Sequence, residues 1–323
     1  MKAVVIRGPG GPEMLELREV PEPEPKPGEV VIDVVAAGLN RADVQQRRGV
    51  YPPPPGASEY PGLEVSGRIS DPNGSALPAG AEVVALLSGG GYAEKVAVPA
   101  GQVLEVPDGL ELVEAAALPE TAATVYSNLF LTAGLKAGET VLIHGGAGGI
   151  GTMAIQLARA FGAVPLVTAG SPDKLQLAAS LGAAAAINYR EQDFVEEARA
   201  ATGGAGADVI LDVVGAKYLE RNISALAVGG RLVVIGLQGG TTAEVNLGAL
   251  MTKRASIAGS TLRARPPQQK AEIMAAVERE VWPLVAAGRV RPLVGRTFPL
   301  AEAAAAHEYF DSGEHTGKIL LTV

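Results

Sequence analysis

The sequence predicts an α/β chain in which a doubly wound parallel sheet is joined to a β-rich domain. Three observations predict it. Residues 1–118 carry short apolar, β-branched runs separated by turn residues. Residues 119–262 alternate such runs with helical segments. Within that second stretch, an apolar strand runs directly into a glycine turn and then a helix.

In the first stretch, strands are expected at 3–6, 30–36, 65–69, 82–86 and 93–98, punctuated by Pro27-Gly28 and Asp71-Pro72-Asn73-Gly74. In the second, they are expected at 141–144, 164–168, 185–187, 209–213, 232–235 and 256–258. Strands that alternate with helices imply a parallel sheet covered on both faces, and six is the full count of a Rossmann domain. After Arg263 the alternation stops. A helical stretch at 267–287 with a kink at Pro283, a helix at 300–310 and a strand at 318–323 remain. These are too few for a third domain and are expected to return to the first. The domain reading is 1–118, 119–262, and a return at 263–323.

Val141-Leu142-Ile143 makes a buried strand, and Gly145, Gly146, Ala147, Gly148 and Gly149 fill the turn after it. Ile150, Met153, Ala154, Leu157, Ala158 and Phe161 then recur at helical spacing, with Gly162 as the stop. This layout places a pyrophosphate on the free N–H groups of a helix N-terminus. Gly146, Gly148 and Gly151 fit G-x-G-x-x-G, as do Gly145, Gly148 and Gly151 at wider spacing. A tight strand-to-helix turn without a ligand is the competing reading.

An NAD site places an acid on the ribose about 20 residues beyond these glycines. Here the second strand ends in Thr168-Ala169-Gly170-Ser171, and the nearest acid is Asp173. Asp173 suits the first turn of a helix with Ser171 at N-cap and Pro172 at N1. Gly170 leaves room for a 2′-phosphate, Ser171 can donate a hydrogen bond, and Lys174 can supply a point charge or stand as a solvated helix residue. The expected cofactor is NADPH.

Composition narrows the function. The chain has 323 residues, 47% of them hydrophobic, and a formal charge of -8. No basic stripe favours a nucleic acid, and no apolar run of about 18 residues favours a membrane span. Cysteine is absent, which removes disulfides, thiol nucleophiles and thiolate metal sites. Residues 1–7 lack a signal-peptide pattern, so a cytoplasmic location is expected. The histidines are His144, His307 and His315. His144 is read as packed in its strand, and the other two as surface residues. They do not supply the three ligands of a zinc site. Without a Lewis acid, the expected acceptor is one that takes a hydride readily, such as a quinone or an activated alkene.

Gly38-Leu39-Asn40-Arg41-Ala42-Asp43, Gly49-Val50-Tyr51-Pro52-Pro53-Pro54 and Pro61-Gly62-Leu63-Glu64-Val65-Ser66-Gly67 extend the pattern. Thr124-Val125-Tyr126, 166–171 and Gly317-Lys318-Ile319-Leu320 complete it. Together with the glycine turn they resemble the zinc-independent, zeta-crystallin-like quinone oxidoreductase branch of the medium-chain dehydrogenase/reductase superfamily. The likeness is greatest to the stress-inducible quinone reductase subgroup and runs nearly end to end. It implies a GroES-like catalytic domain, a Rossmann domain, NADPH and a homodimer. It also implies cofactor contacts at Thr124, Tyr189 and Lys318. Gly215, Ile235, Gly236 and Leu237, at the carboxyl ends of two strands, join them.

In the catalytic domain Asn40 and Tyr51 are the candidates for the acceptor pocket. Asn40 offers an amide donor, or it satisfies backbone groups in a turn. Tyr51 offers a flat face and a phenol, or it packs on the stiff prolines at 52–55. Asp43 is read as a helix cap or an arginine partner, and Glu64 as structural. The expected activity is NADPH-dependent quinone reduction. Reduction of enones by the same hydride and a non-catalytic NADPH-binding role are the alternatives. A homodimer is expected to join through the sixth strand, an apolar sheet edge.

Overall fold

The computed structural model describes residues 1–323. The chain makes β1 (Lys2–Ile6), β2 (Leu15–Glu19), β3 (Glu29–Gly38), β4 (Glu64–Asp71), β5 (Glu82–Leu86), β6 (Lys95–Pro99) and β7 (Val103–Glu105). Next come β8 (Thr140–His144), β9 (Val164–Ala169), β10 (Ala185–Asn188), β11 (Ala207–Asp212), β12 (Leu226–Val234) and β13 (Ser256–Gly259). It ends with β14 (Val294–Pro299) and β15 (Lys318–Thr322). Contacts divide it into one unit of Met1–Ala123 with Leu262–Val323 and a second of Thr124–Thr261.

The first unit is built on a sheet of order β14-β15-β3-β4-β5-β7, with β6 also paired to β3. β3 is its axis because Val30, Ile32 and Val34 alternate into the core while Asp33 faces solvent. They pack with Val65, Val83, Val98, Ile319 and Leu321. The final strand, β15, lies antiparallel on β3, with Leu321 opposite Ala37, which ties the carboxyl end of the chain into this unit. Three strands escaped the sequence pattern. β14 is exposed at four of six positions and exists by pairing with β15, β2 is a partly exposed partner of β1, and β7 has three residues. The helical stretch after Arg263 is two helices, Pro267–Glu280 and Trp282–Ala286, with Pro283 in the first turn of the second.

The second unit holds the sheet β10-β9-β8-β11-β12-β13, all parallel. This is the doubly wound order, in which the chain reverses direction of travel between β8 and β11. Val141, Leu142 and Ile143 are buried on both faces, as an inner parallel strand requires. Leu142, Leu166, Ile187, Phe194, Ile210 and Leu232 form its core. β13 is the open edge and Ile257 is exposed on it. No helix is long and apolar enough to cross a membrane.

The histidines correct one expectation: His307 is fully buried, as is His144. His144 Nε2 lies 2.8 Å from Asn222 Oδ1, which can only accept, so Nε2 carries the proton and Nδ1 accepts from Thr168 Oγ1 at 3.0 Å. Burial lowers its pKa to about 4, opposed by Asn222 and reinforced by Arg221. His307 Nδ1 accepts from Arg47 at 3.2 Å, and Nε2 donates to the Tyr92 hydroxyl at 3.3 Å. Burial, then the Arg47 charge, lowers its pKa to about 3.

Both rings are neutral in the fold and chargeable in the unfolded chain below about pH 6.5. Their stabilisation is therefore complete above that pH and is lost as pH falls toward 4. Asp43, pushed up to about 6, acts oppositely between 6 and its ordinary value, but it is one group against two. Lowering pH from 7 to 5 is expected to cost roughly 2 kcal/mol of unfolding free energy. Urea midpoints at the two pH values check this, and an unchanged or rising midpoint contradicts it.

Candidate active site

In the second unit β8 delivers the chain to the glycine turn. Gly145 has φ +76°, which favours glycine. A Cβ on Gly146 would stand 2.7 Å from Val167 Cβ, and one on Gly151 would stand 2.3 Å from the Gly145 oxygen. The protein's own conformation demands these three glycines: Gly145 for its backbone angle, Gly146 for its approach to β9, and Gly151 for the contact between the helix Gly149–Ala160 and the turn. Ala147 is buried within it.

Gly148 is different. It is an extended N-cap, and a Cβ there would meet nothing closer than the Gly145 oxygen at 3.9 Å. The turn is open at this point. The adjoining amides of Gly149, Ile150 and Gly151 precede the first helical bond, from Thr152 N–H to the Gly148 carbonyl at 2.9 Å. Open space, unsatisfied amides and the positive end of a 12-residue helix are what a pyrophosphate requires.

Gly170, Ser171 and Lys174 follow β9, and Tyr189 follows the neighbouring β10. A Cβ on Gly170 would lie 2.5 Å from the Tyr189 hydroxyl. The Tyr189 phenol thus lies against Gly170, where any larger residue would displace it. Ser171 is the N-cap of the helix Pro172–Leu181, with Pro172 at N1 and Asp173 in the first turn, but its hydroxyl makes no capping bond. Helix geometry leaves that hydroxyl to another partner.

The ends of β11 and β12 fasten to each other. Gly215 has φ +79°, and a Cβ on Gly236 would lie 2.7 Å from the Val213 oxygen. Ile235 N–H donates to the Asp212 carbonyl at 2.8 Å, and Gly239 N–H to Val214 at 2.6 Å. Close approach of two loops explains these glycines, and Leu237 is left exposed. The sequence reading overlooked Asp212. Its buried carboxylate accepts the amides of Val214 at 2.7 Å and Gly215 at 3.0 Å. Burial raises its pKa, and those two amides and Asn222 oppose the rise. Thr124 is buried, and its carbonyl accepts the Asn128 amide at 2.8 Å.

In the first unit Asn40 opens the helix Arg41–Arg47, and the Asp43 carboxylate accepts its N–H at 2.8 Å. The Asn40 side-chain NH2 donates to the Gly38 carbonyl at 3.2 Å and to Glu64 Oε1 at 3.0 Å, and its Oδ1 accepts from Lys318 at 2.7 Å. Both amide protons are therefore engaged inside the unit. Glu64 is fully buried and bridges Lys318 Nζ at 2.5 Å, while its Oε2 caps the helix Pro119–Val125 through the Glu120 amide at 2.9 Å.

Lys318 also donates to the Leu39 carbonyl at 2.9 Å. Its three protons are spent on Leu39, Asn40 and Glu64. These interior bonds are the contacts the structure shows for Lys318.

Asp43 accepts the Gly62 amide at 2.9 Å and the Tyr92 hydroxyl at 3.3 Å. Burial raises its pKa to about 6, and the Gly62 and Asn40 amides together with the Lys318 and Arg263 charges limit the rise. Tyr51 is half-buried. Arg263, not a site candidate in the sequence reading, lies over its ring at 5.5 Å and donates to its carbonyl at 3.4 Å. Burial raises the Tyr51 pKa, with Arg263 opposing, so the phenol holds its proton at neutral pH. Nothing near Tyr51 in sequence signals Arg263, which stands 212 positions away.

Residues 26–108 match the family described as alcohol dehydrogenase GroES-like domain, and residues 149–279 match zinc-binding dehydrogenase. The chain is 34% identical to human quinone oxidoreductase over 99% of its own length and 97% of the relative's. It superposes on Escherichia coli quinone oxidoreductase complexed with NADPH with a TM-score of 0.89 and 32% identity, covering all of both chains. CurK enoyl reductase aligns at TM-score 0.87 and 29% identity, over 99% of this chain and 98% of that one. The fold and the glycine turn define a medium-chain dehydrogenase/reductase. The chain belongs to the quinone oxidoreductase branch of that superfamily.

Proposed function

We propose that this chain is an NADPH:quinone oxidoreductase that works without zinc. The carrying observation is the open turn at Gly148 above the free amides of Gly149, Ile150 and Gly151. NADPH bound there supplies the hydride. Ser171, Lys174 and Tyr189 would hold its 2′-phosphate, and no acid ends β9. Thr124, Gly215, Ile235, Gly236 and Leu237 are proposed for its ribose and nicotinamide. Tyr51, protonated at neutral pH, would donate to the oxygen on which negative charge develops, and Asn40 would fix the loop through Glu64 and Lys318.

The donor set supports metal-free chemistry. The chain lacks cysteine, His144 and His307 have both ring nitrogens engaged, and no three His, Asp or Glu residues are arranged to hold a metal ion.

The test is steady-state kinetics. Tyr51→Phe should lower kcat/KM for quinones by roughly tenfold, from loss of a hydrogen bond of about 1–2 kcal/mol. Tyr51→Ala should lower it further. NADPH affinity and the insensitivity to chelator should be unchanged in both. Intact quinone kinetics in both variants with lowered thermal stability would make Tyr51 a packing residue only. Enone reduction is the second reading, favoured by the likeness to an enoyl reductase and by a phenol able to deliver the extra proton. Rates on matched quinone and enone panels decide between them.

We propose a homodimer through β13. The edge is unpaired, Ile257 is exposed on it, and the preceding helix Leu247–Lys253 exposes Leu247 and Met251. Light scattering at micromolar concentration should give twice the chain mass, and a monomer mass would refute the pairing.

A further inference from the structure

Within the first unit lies a groove of about 600 Å³ with Lys270 and Arg263 among its lining residues. Both cations are almost completely covered, at 2% and 4% exposure. Neither forms an ion pair with a carboxylate; the salt bridges of this unit lie elsewhere. Arg263 donates to neutral oxygens, the Ser88 carbonyl at 2.8 Å and Gln46 Oε1 at 2.7 Å, besides Tyr51. Lys270 Nζ donates to Ser88 Oγ, one acceptor for three ammonium protons.

Lys270 also sits in the first turns of the helix Pro267–Glu280, where the helix dipole disfavours a cation. Burial lowers the pKa of both groups; the Asp43, Tyr51 and Glu120 charges oppose this at Arg263, whereas at Lys270 only Glu120 opposes it and the Arg263 charge adds to it.

Lys26, Lys95 and Arg265 line the same groove, against two acids, Glu24 and Glu29. Prolines 54, 55, 266 and 267 give it rigid apolar walls. Buried charges are ordinarily paired directly, and Lys270 has no carboxylate in contact with its ammonium. We propose that this groove binds a small organic anion, a carboxylate or phosphate ester with an apolar body, whose charged end is taken by Lys270 and Ser88. The inference does not rest on the hydride reading, because every residue involved belongs to the first unit and the test reads no turnover.

Thermal midpoints of the full chain at constant ionic strength test it, with benzoate, its neutral isostere benzamide and inorganic phosphate as probes. Benzoate is expected to raise the midpoint saturably and benzamide to leave it unmoved. A response to phosphate alone assigns the phosphate-ester class. Lys270→Met removes the charge at similar volume and should weaken half-saturation at least about tenfold. Lys270→Gln should read the same loss if the methionine variant does not fold. An equal response to benzamide, an undiminished response in a folded Lys270 variant, or no response of the wild type to either anion overturns the proposal.

Discussion

Lys174→Ala is expected to raise the dissociation constant of NADPH by roughly 10- to 100-fold while leaving that of NADH within about twofold. The argument is local. The end of β9 carries no acid to take a ribose hydroxyl, and Ser171 spends no hydrogen bond on capping its helix. A 2′-phosphate near residues 170–174 would make charge-assisted bonds, and losing one costs on the order of 1.5–3 kcal/mol. NADH has no such phosphate, so it loses nothing. Fluorescence titration with both cofactors measures the contrast. Equal weakening of the two would remove Lys174 from the phosphate site and leave it a helix residue.

Lys318→Met should unfold the protein more readily by about 3–5 kcal/mol, because it leaves the fully buried Glu64 carboxylate without its counter-charge. Asn40 and the Glu120 amide still hydrogen-bond that carboxylate, which keeps the loss from being larger. The double variant Glu64→Gln/Lys318→Met removes both charges and should recover most of the stability. Urea unfolding of the wild type, both single variants and the double variant closes the cycle. A single-variant cost below about 1 kcal/mol would mean that the pair contributes little.

Legibility differed by element. β8 could be read because an inner parallel strand is apolar throughout, and the helix after it because its buried face repeats at helical spacing. β14 could not, since its residues are mostly exposed and only pairing with β15 defines it. At the candidate site, the glycine turn was legible as a pattern, yet the pattern could not say which glycine serves packing and which leaves space. Only the contacts separate Gly146 and Gly151 from Gly148. Asn40 and Tyr51 stood out as residue types in motifs. Their partners Lys318 and Arg263 lie 278 and 212 positions away, and local sequence carries no trace of such pairings.

The sequence by itself determined the class of each layer, the place of the glycine turn, and the lack of thiolate ligands. These depend on composition and on periodicities of 2 and 3.6 residues, which are local properties. Tertiary structure decided the rest. It buried His307, which its position in the chain suggested was exposed. It used the protons of Lys318 in the interior and laid the Tyr189 phenol over Gly170. It also left Lys270 covered without a carboxylate. Each of these depends on which distant group fills the space around a side chain, because burial and hydrogen-bond satisfaction are settled by three-dimensional neighbours.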